Sequence, residues 1–220
     1  MQLVIGNQNY SSWSLRAWLC LRQLSVDFED VVVSLNADRL QERLGQFSPT
    51  KRVPVLIDGD LTVWDSLAIC EYVSEQYADG KGWPRDPVLR AQARAIACEM
   101  HGGFMGVRSQ MPMNCRATRK VDLSASTQQE VQRIDAMWSS LCQTHTAKGP
   151  WLFGDFSIAD CMYAPVVFRF KTYRVNVSPD STAYMNTMLA NPHIQDWLAA
   201  ALKETEIIPE DEAGVDVSFK

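Results

Sequence analysis

The chain has 220 residues, of which 46% are hydrophobic, so it suits one large domain or two small ones with a sizeable buried core. With a charged fraction of 21% and a net charge of -5, the chain has neither the composition of a disordered protein nor the positive charge of a nucleic-acid-binding protein. No apolar run approaches the roughly 18 residues of a membrane span, and the segment Met1–Gly6 lacks a signal peptide's charged start. We therefore expect a cytoplasmic protein with neither a nucleic acid nor a membrane as partner.

The first half of the chain alternates strand and helix patterns. Apolar residues at helical spacing follow Ser12, and short apolar runs bounded by polar loops predict the strands. The predicted elements, in order, are a strand at 3–5, a helix at 12–24, a strand at 28–33, a helix at 37–47, strands at 55–57 and 61–64, and a helix at 66–77. This β-α-β-α-β-β-α order predicts a mixed four-stranded sheet with helices on both faces.

The stretch Ser48–Gly59 connects the two parts of that sheet. Pro54 lies where a loop enters a strand, and Asp58-Gly59 is a strong hairpin signal. If the bond before Pro54 is cis, the backbone N–H and C=O of Val53 turn outward and are free to pair with a peptide-like ligand. The alternative is an ordinary junction between a loop and a strand.

The second half is predicted to be all helical. The breaker-rich run 79–87 marks a domain boundary, and only helical patterns of comparable strength follow it. We predict a domain at 1–80, a linker at 81–88 and a helical domain at 89–220, with an irregular polar tail from Pro209. The six cysteines form no Cys-x-x-Cys pair and the three histidines lie far apart, so we expect reduced thiols and no metal site.

Two further places offer chemistry. The run Ser11–Arg16 begins the first helix, where backbone amides and the positive helix end favour an anion, and a serine hydroxyl there could donate to a thiolate. Asp65-Ser66 begins the helix after the hairpin, where Asp65 could pair with an ammonium group and Ser66 could hold a carboxylate. At both places the alternative is a simple N-cap. Together with Val53, these features suit a small peptide that contains cysteine.

The chain resembles the cytosolic glutathione S-transferase family of the serine type, which includes zeta-like, tau-like and bacterial members. The resemblance covers nearly the whole length and rests on Ser11–Arg16, Lys51–Leu56, Asp65-Ser66 and Gly154–Asp160. In the last of these, Ser157 is expected to cap a helix while Asp160 reaches back to its amide. The resemblance implies a thioredoxin-like N-terminal domain with a cis proline, an all-helical C-terminal domain, a homodimer, and glutathione as co-substrate without a metal.

The resemblance also implies roles for individual residues. Ser11 matches the serine that activates the glutathione sulfur, with Ser12 as the fallback. Val53 would pair with the cysteinyl backbone of glutathione. The remaining contacts would be Asp65 and Ser66 to the γ-glutamyl end, and Arg52 with Arg39 to the glycyl carboxylate.

Trp13 stands where zeta-type members carry a cysteine, which weighs against maleylacetoacetate isomerase activity. The absence of cysteine at 11–14 weighs against the omega and beta classes, and no tyrosine fits the alpha, mu or pi position, although Tyr10 is adjacent.

The second substrate is expected between the two domains. Trp13, Met105 and Arg108 are the candidates for its pocket, together with Phe104, although a helical apolar stripe that contains Met100 and Phe104 more often packs in the core. Arg108 could receive an anionic substrate or an acidic partner within the protein. We expect a transferase that conjugates glutathione to a hydrophobic electrophile, as in detoxification. The alternatives are a glutathione-dependent isomerase or peroxidase, or a non-catalytic binding module of the same fold.

Overall fold

A computed structural model describes residues 1–36 and 40–217 of the chain. The first half contains a four-stranded sheet in the order β2-β1-β3-β4, in which β1 and β2 are parallel and the other neighbours are antiparallel. Its strands are β1 (Gln2–Ile5), β2 (Glu29–Val32), β3 (Val55–Asp58) and β4 (Leu61–Trp64). Its helices are α1 (Ser12–Gln23), α2 (Leu40–Gly45) and α3 (Ser66–Tyr77). The predicted β-α-β-α-β-β-α order is confirmed.

Alternation along β1 sends side chains to both faces of the sheet. Leu3 and Ile5 join the large core that includes α1 and α3, whereas Val4 packs with Leu44 of α2 in a smaller cluster. The helices therefore cover both faces, as predicted. This arrangement carries the start of α1 and the start of α3 to the same side as the loop that precedes β3.

The second half is built on helices and includes one small strand pair. The helices are α4 (Pro87–Gly102), α5 (Met105–Gln110), α6 (Ala125–His145), α7 (Ile158–Thr172), α8 (Pro179–Ala190) and α9 (Pro192–Ala201). Helix α7 is buried along almost its whole length and packs against α1 and α4, so it joins the two halves. Helix α4 begins inside the segment predicted as a linker. None of the helices in the described ranges is long and apolar enough to cross a membrane.

The tail differs from the prediction of an irregular segment. A 3-10 turn forms at Pro209–Asp211, and the strand β6 (Val215–Asp216) pairs with β5 (Arg119–Lys120) in antiparallel fashion. Arg119 pairs with Glu212, and Tyr10 donates a hydrogen bond to the same carboxylate at 2.5 Å. These partners lie far away in sequence, which is why the polar composition of the tail did not reveal its order. The tail is thereby held against the start of α1.

Candidate functional site

A cavity of about 570 Å³ lies beside the loop that precedes β3. We call it the Pro54 cavity, because the Val53–Pro54 peptide bond on its wall is cis. Its lining residues are Trp13, Thr50, Arg52, Val53, Pro54, Trp64, Asp65 and Ser66. The three stretches that the sequence analysis singled out therefore meet at one place.

The start of α1 presents a chain of hydroxyl groups. Ser14 Oγ accepts a hydrogen bond from the Gly6 amide at 3.0 Å and lies 2.7 Å from Ser11 Oγ. Since a hydroxyl group has one proton to donate, Ser14 can donate to Ser11 while it accepts from Gly6. The Ser11 proton is then free for a ligand. Ser11 is also the N-cap of α1, so the capping alternative and the functional one are compatible.

Ser12 has a different partner. Arg169 of α7 donates from Nη2 to Ser12 Oγ at 3.0 Å, and both side chains are buried. The Ser12 oxygen thus accepts from a cation and keeps its own proton for a further acceptor. Both serines line a second cavity, so geometry alone presents two candidate hydroxyls.

The start of α3 carries an acidic cap and an unpartnered hydroxyl. Asp65 Oδ1 accepts hydrogen bonds from the amides of Leu67 and Ala68, and its Oδ2 lies 3.1 Å from His101 Nε2. Ser66 Oγ is buried and has no hydrogen-bond partner among the described residues. A buried hydroxyl without a partner costs free energy, and a ligand in the cavity would satisfy it. Burial lowers the pKa of His101, while the Asp65 carboxylate opposes that shift.

The second cavity has a volume of about 430 Å³ and shares Trp13, Arg52 and Val53 with the first. We call it the arginine cavity, because guanidinium groups from two helices line it. Its other lining residues include Tyr10, Ser11, Ser12, Lys51, Arg108, Pro112, Met113, Arg169 and Asp211. The shared residues make the two cavities adjoining parts of one cleft.

In this region Arg16 and Arg169 are buried and Arg108 is half-buried, and the pKa of each is lowered. Burial, reinforced by repulsion from Arg108 and Arg169, lowers the pKa of Arg16 to about 9. Burial and repulsion from Arg108 lower the pKa of Arg169 to about 10. Burial also lowers the pKa of Arg108. Asp211, on the tail, has its pKa raised to about 6 by burial, although Arg169 opposes that change.

Most of the predicted site residues lie in this cleft. Ser11, Ser12, Trp13, Arg52, Val53 and Arg108 line the arginine cavity, and Asp65 with Ser66 lines the Pro54 cavity. Met105, which is 61% exposed on α5, lines neither cavity. Met100 and Phe104 are core residues, in agreement with the alternative prediction that this helical stripe packs in the core. Arg39 lies outside the residues that the structure describes, and no His, Cys, Asp or Glu cluster of metal-binding type occurs in the part it does describe.

The sequence analysis missed four residues in or beside the cleft: Arg169 and Asp211 line the arginine cavity, Arg16 lies over the Trp13 ring, and His101 pairs with Asp65. Arg169 had a usable signal, because it stands between Phe168 and Phe170 in an otherwise apolar helix. A charge in such a setting is rarely buried without a reason. His101 and Asp211 carried no comparable signal, since their partners come from other elements.

Comparison with known proteins bears on this cleft. Two family models match the chain: the glutathione S-transferase N-terminal domain at residues 10–76 and the C-terminal domain at residues 122–200. A maleylacetoacetate isomerase from Mus musculus is 30% identical over 177 residues, which cover 78% of this chain and 78% of that protein. A stringent starvation protein A homolog from Coxiella burnetii is 23% identical over 209 residues, with 94% and 93% covered.

Solved structures share the fold. A glutathione transferase homolog from Burkholderia, with bound glutathione, superposes with a TM-score of 0.70 and 24% identity, and the match covers 92% of this chain and 98% of that one. At this identity the similarity establishes the architecture, and the chemistry has to come from the residues of the cleft.

Proposed function

The chain belongs to the cytosolic glutathione S-transferase family, and we propose that it binds glutathione in the Pro54 cavity and conjugates the thiol to an electrophilic second substrate. The observation that carries the proposal is the Ser11 hydroxyl at the start of α1, with the Ser14 hydroxyl 2.7 Å behind it. A hydroxyl that can donate, at the positive end of a helix, favours a thiolate over a thiol.

The cleft supplies a contact for each part of glutathione. The γ-glutamyl ammonium would pair with Asp65 and its carboxylate would accept from the unpartnered Ser66 hydroxyl. The cysteinyl amide would pair with the backbone of Val53. Arg52, and Arg39 as the resemblance implies, would meet the glycyl carboxylate. This orientation brings the sulfur to Ser11, with Ser12 as the fallback hydroxyl.

In the reaction, the cysteinyl thiol gives its proton to solvent and the resulting thiolate is held by the Ser11 hydroxyl. The sulfur lone pair then forms a bond to the electrophilic carbon, and either a leaving group departs with its electron pair or a π bond opens and takes up a proton. Lowering the thiol pKa by one unit requires about 1.4 kcal/mol, roughly what a hydrogen bond to an ionised group contributes. Positioning of the two substrates supplies the rest of the rate.

The test is the ultraviolet absorbance of the thiolate of bound glutathione as pH is raised, in the wild type, Ser11→Ala and Ser12→Ala. We expect a thiol pKa below the ordinary value of about 8.5 in the wild type, and a rise of about one unit in Ser11→Ala. Ser126→Ala, at an exposed serine of α6, is the control and should leave the pKa unchanged. An unshifted pKa in every protein would overturn the catalytic proposal, and a loss in Ser12→Ala alone would transfer the role to Ser12.

Two alternatives use the same cleft. The mouse isomerase at 30% identity favours a glutathione-dependent isomerisation, in which glutathione is regenerated and no adduct accumulates. The Coxiella protein, aligned over 94% of this chain, is not named for a glutathione reaction, and the second alternative is a non-catalytic binding module, for which glutathione affinity without turnover is expected. We also expect a homodimer, as is usual for the family. Measuring glutathione consumption against product separates conjugation from both alternatives.

A further inference from the structure

Three guanidinium groups converge on the residues beside Ser11. The guanidinium carbons of Arg16 and Arg108 lie 4.4 and 4.7 Å from the centroid of the Trp13 ring. Arg169 donates to Ser12, the residue before Trp13. The three groups come from α1, α5 and α7, so the fold, and not a local motif, brings them together.

Their charge is not balanced by acids at contact distance. Among the described residues, no carboxylate forms an ion pair with Arg16, Arg108 or Arg169; Asp65, Glu130 and Asp211 act on them from farther away. Nε and Nη1 of Arg16 and Nε of Arg108 are buried without a hydrogen-bond partner in the same part of the chain. Nη2 of Arg108 donates to the carbonyls of Met100 and His101, and Arg16 lines neither cavity. A buried N–H group without an acceptor costs free energy, so Nε of Arg108 is the group whose cost an anionic ligand in the arginine cavity would offset.

Two of these arginines face the second-substrate side of the cleft. Among the described residues that line the arginine cavity, the cations are Lys51, Arg52, Arg108 and Arg169, and the only acid is Asp211. Arg52 and Lys51 lie on the loop before Pro54, where the proposed function puts the glycyl carboxylate of glutathione. Arg108 and Arg169 remain for the other substrate.

Arg169 is held in a fixed orientation. Its Nη1 donates to the carbonyl of Arg108 at 3.0 Å and to the carbonyl of Met111, while its Nη2 points to Ser12. A guanidinium group that is anchored in this way loses little side-chain entropy when it receives an anion. Both Nη1 protons are used by these carbonyls and one Nη2 proton by Ser12, so the second Nη2 proton remains to donate to one oxygen of a carboxylate, whose other oxygen Arg108 would receive.

We propose that the second substrate carries a carboxylate, received by Arg108 and Arg169, close to its electrophilic carbon. The inference rests on the proposed function and narrows the expected hydrophobic electrophile to one that carries a carboxylate. The carboxylate must lie near the carbon attacked, because Ser11, beside the thiolate, and Ser12, beside Arg169, are consecutive residues.

The test compares two glutathione conjugates that differ in charge and hardly in shape. S-(2-carboxyethyl)glutathione and its amide, S-(2-carbamoylethyl)glutathione, are titrated by calorimetry into the wild type, together with glutathione itself. We expect the carboxylate to bind about 10-fold more tightly than the amide, the ratio that a charge-assisted hydrogen bond provides. This measurement needs no variant, so it holds even if a substitution prevents folding.

Variants then assign the preference to residues. Arg108→Gln and Arg169→Gln should each bring the affinity ratio of the two conjugates close to one, with glutathione affinity little changed. Arg133→Gln is the control, because Arg133 is a half-exposed arginine of α6 that pairs with Glu99. A ratio that survives in both cleft variants would overturn the assignment to these arginines.

The outcomes separate the inference from the proposed function. Equal affinity of the wild type for the acid and the amide would overturn the inference and leave glutathione binding standing. Failure of both conjugates and of glutathione to bind would overturn the proposed function and the inference with it. A preference for the acid that Arg108→Gln or Arg169→Gln abolishes would support both.

Discussion

The two sides of the cleft meet at Trp13 and are built in opposite ways. The Pro54 cavity takes most of its lining from the short segment 50–66, and its acid, Asp65, is paired with His101. The arginine cavity draws on α1, α5, α7 and the tail as well as the loop before β3, and neither Arg108 nor Arg169 forms an ion pair at contact distance among the described residues. The proposed recognition of glutathione therefore rests on residues close in the chain, whereas the proposed selection of the second substrate rests on tertiary packing.

The largest expected effect is on stability, and it tests whether the arginine cavity depends on the hydrogen bonds that hold the start of α7. Asp160, fully buried at the start of α7, accepts hydrogen bonds from the amides of Ser157 at 2.8 Å and Leu152 at 3.2 Å. Asp160→Ala would leave both amides unpartnered, so we expect a loss of about 2 kcal/mol in the free energy of unfolding, measured with urea.

The control for this prediction is Asp155→Ala, at an exposed acid five residues away. It should change the free energy of unfolding by less than about 0.5 kcal/mol. Since α7 carries Arg169, Asp160→Ala should also weaken any preference for the carboxylated conjugate. Equal, small losses of unfolding free energy in the two variants would show that the hydrogen bonds at the start of α7 do not support the arginine cavity.

The next effect is on glutathione affinity, and it tests the role of the Asp65 charge in the Pro54 cavity. Asp65→Asn keeps an N-cap acceptor for α3, and asparagine tolerates the positive φ of 75° at this position, but the charge is lost. We expect about 10-fold weaker glutathione binding with unchanged stability, because a charge-assisted hydrogen bond to the ammonium group is worth roughly 1.5 kcal/mol or more. Calorimetry and urea denaturation measure the two quantities.

Asp65→Ala is the companion variant, because it removes both the charge and the cap. It should weaken glutathione binding to a similar extent and also cost about 1 kcal/mol of stability. If the asparagine variant binds glutathione as well as the wild type, the ammonium group is recognised by something other than the Asp65 charge.

The same division explains what the sequence could predict. The order of elements, the Asp160 capping interaction, and the positions of Ser11, Val53, Asp65 and Ser66 follow from short motifs whose partners are close in the chain. Contacts across the fold left no such pattern: Arg169 reaches Ser12 from 157 residues away. Met105 lies outside both cavities, because Phe104, the N-cap of α5, has a left-handed backbone that interrupts the helical spacing between α4 and α5.

The smallest effect concerns Asp211, the only acid among the described residues lining the arginine cavity. Burial raises its pKa to about 6, so it is ionised at pH 7.5 and becomes neutral as the pH falls toward 5. An ionised Asp211 competes with a ligand carboxylate for Arg169, and a neutral one does not. The affinity ratio of carboxylated to amide conjugate should therefore rise a few-fold as the pH is lowered through about 6.

Asp211→Asn removes this competition. The variant should show a ratio a few-fold above that of the wild type at pH 7.5, and the ratio should stay nearly constant down to pH 5.5, before the ligand's own carboxyl group begins to protonate at about 4.3. Glu210→Gln, at the exposed neighbouring acid, should keep the wild-type profile. A ratio in Asp211→Asn that still rises as the pH falls would assign the titration to another group and leave the arginine cavity without an internal competitor for its ligand.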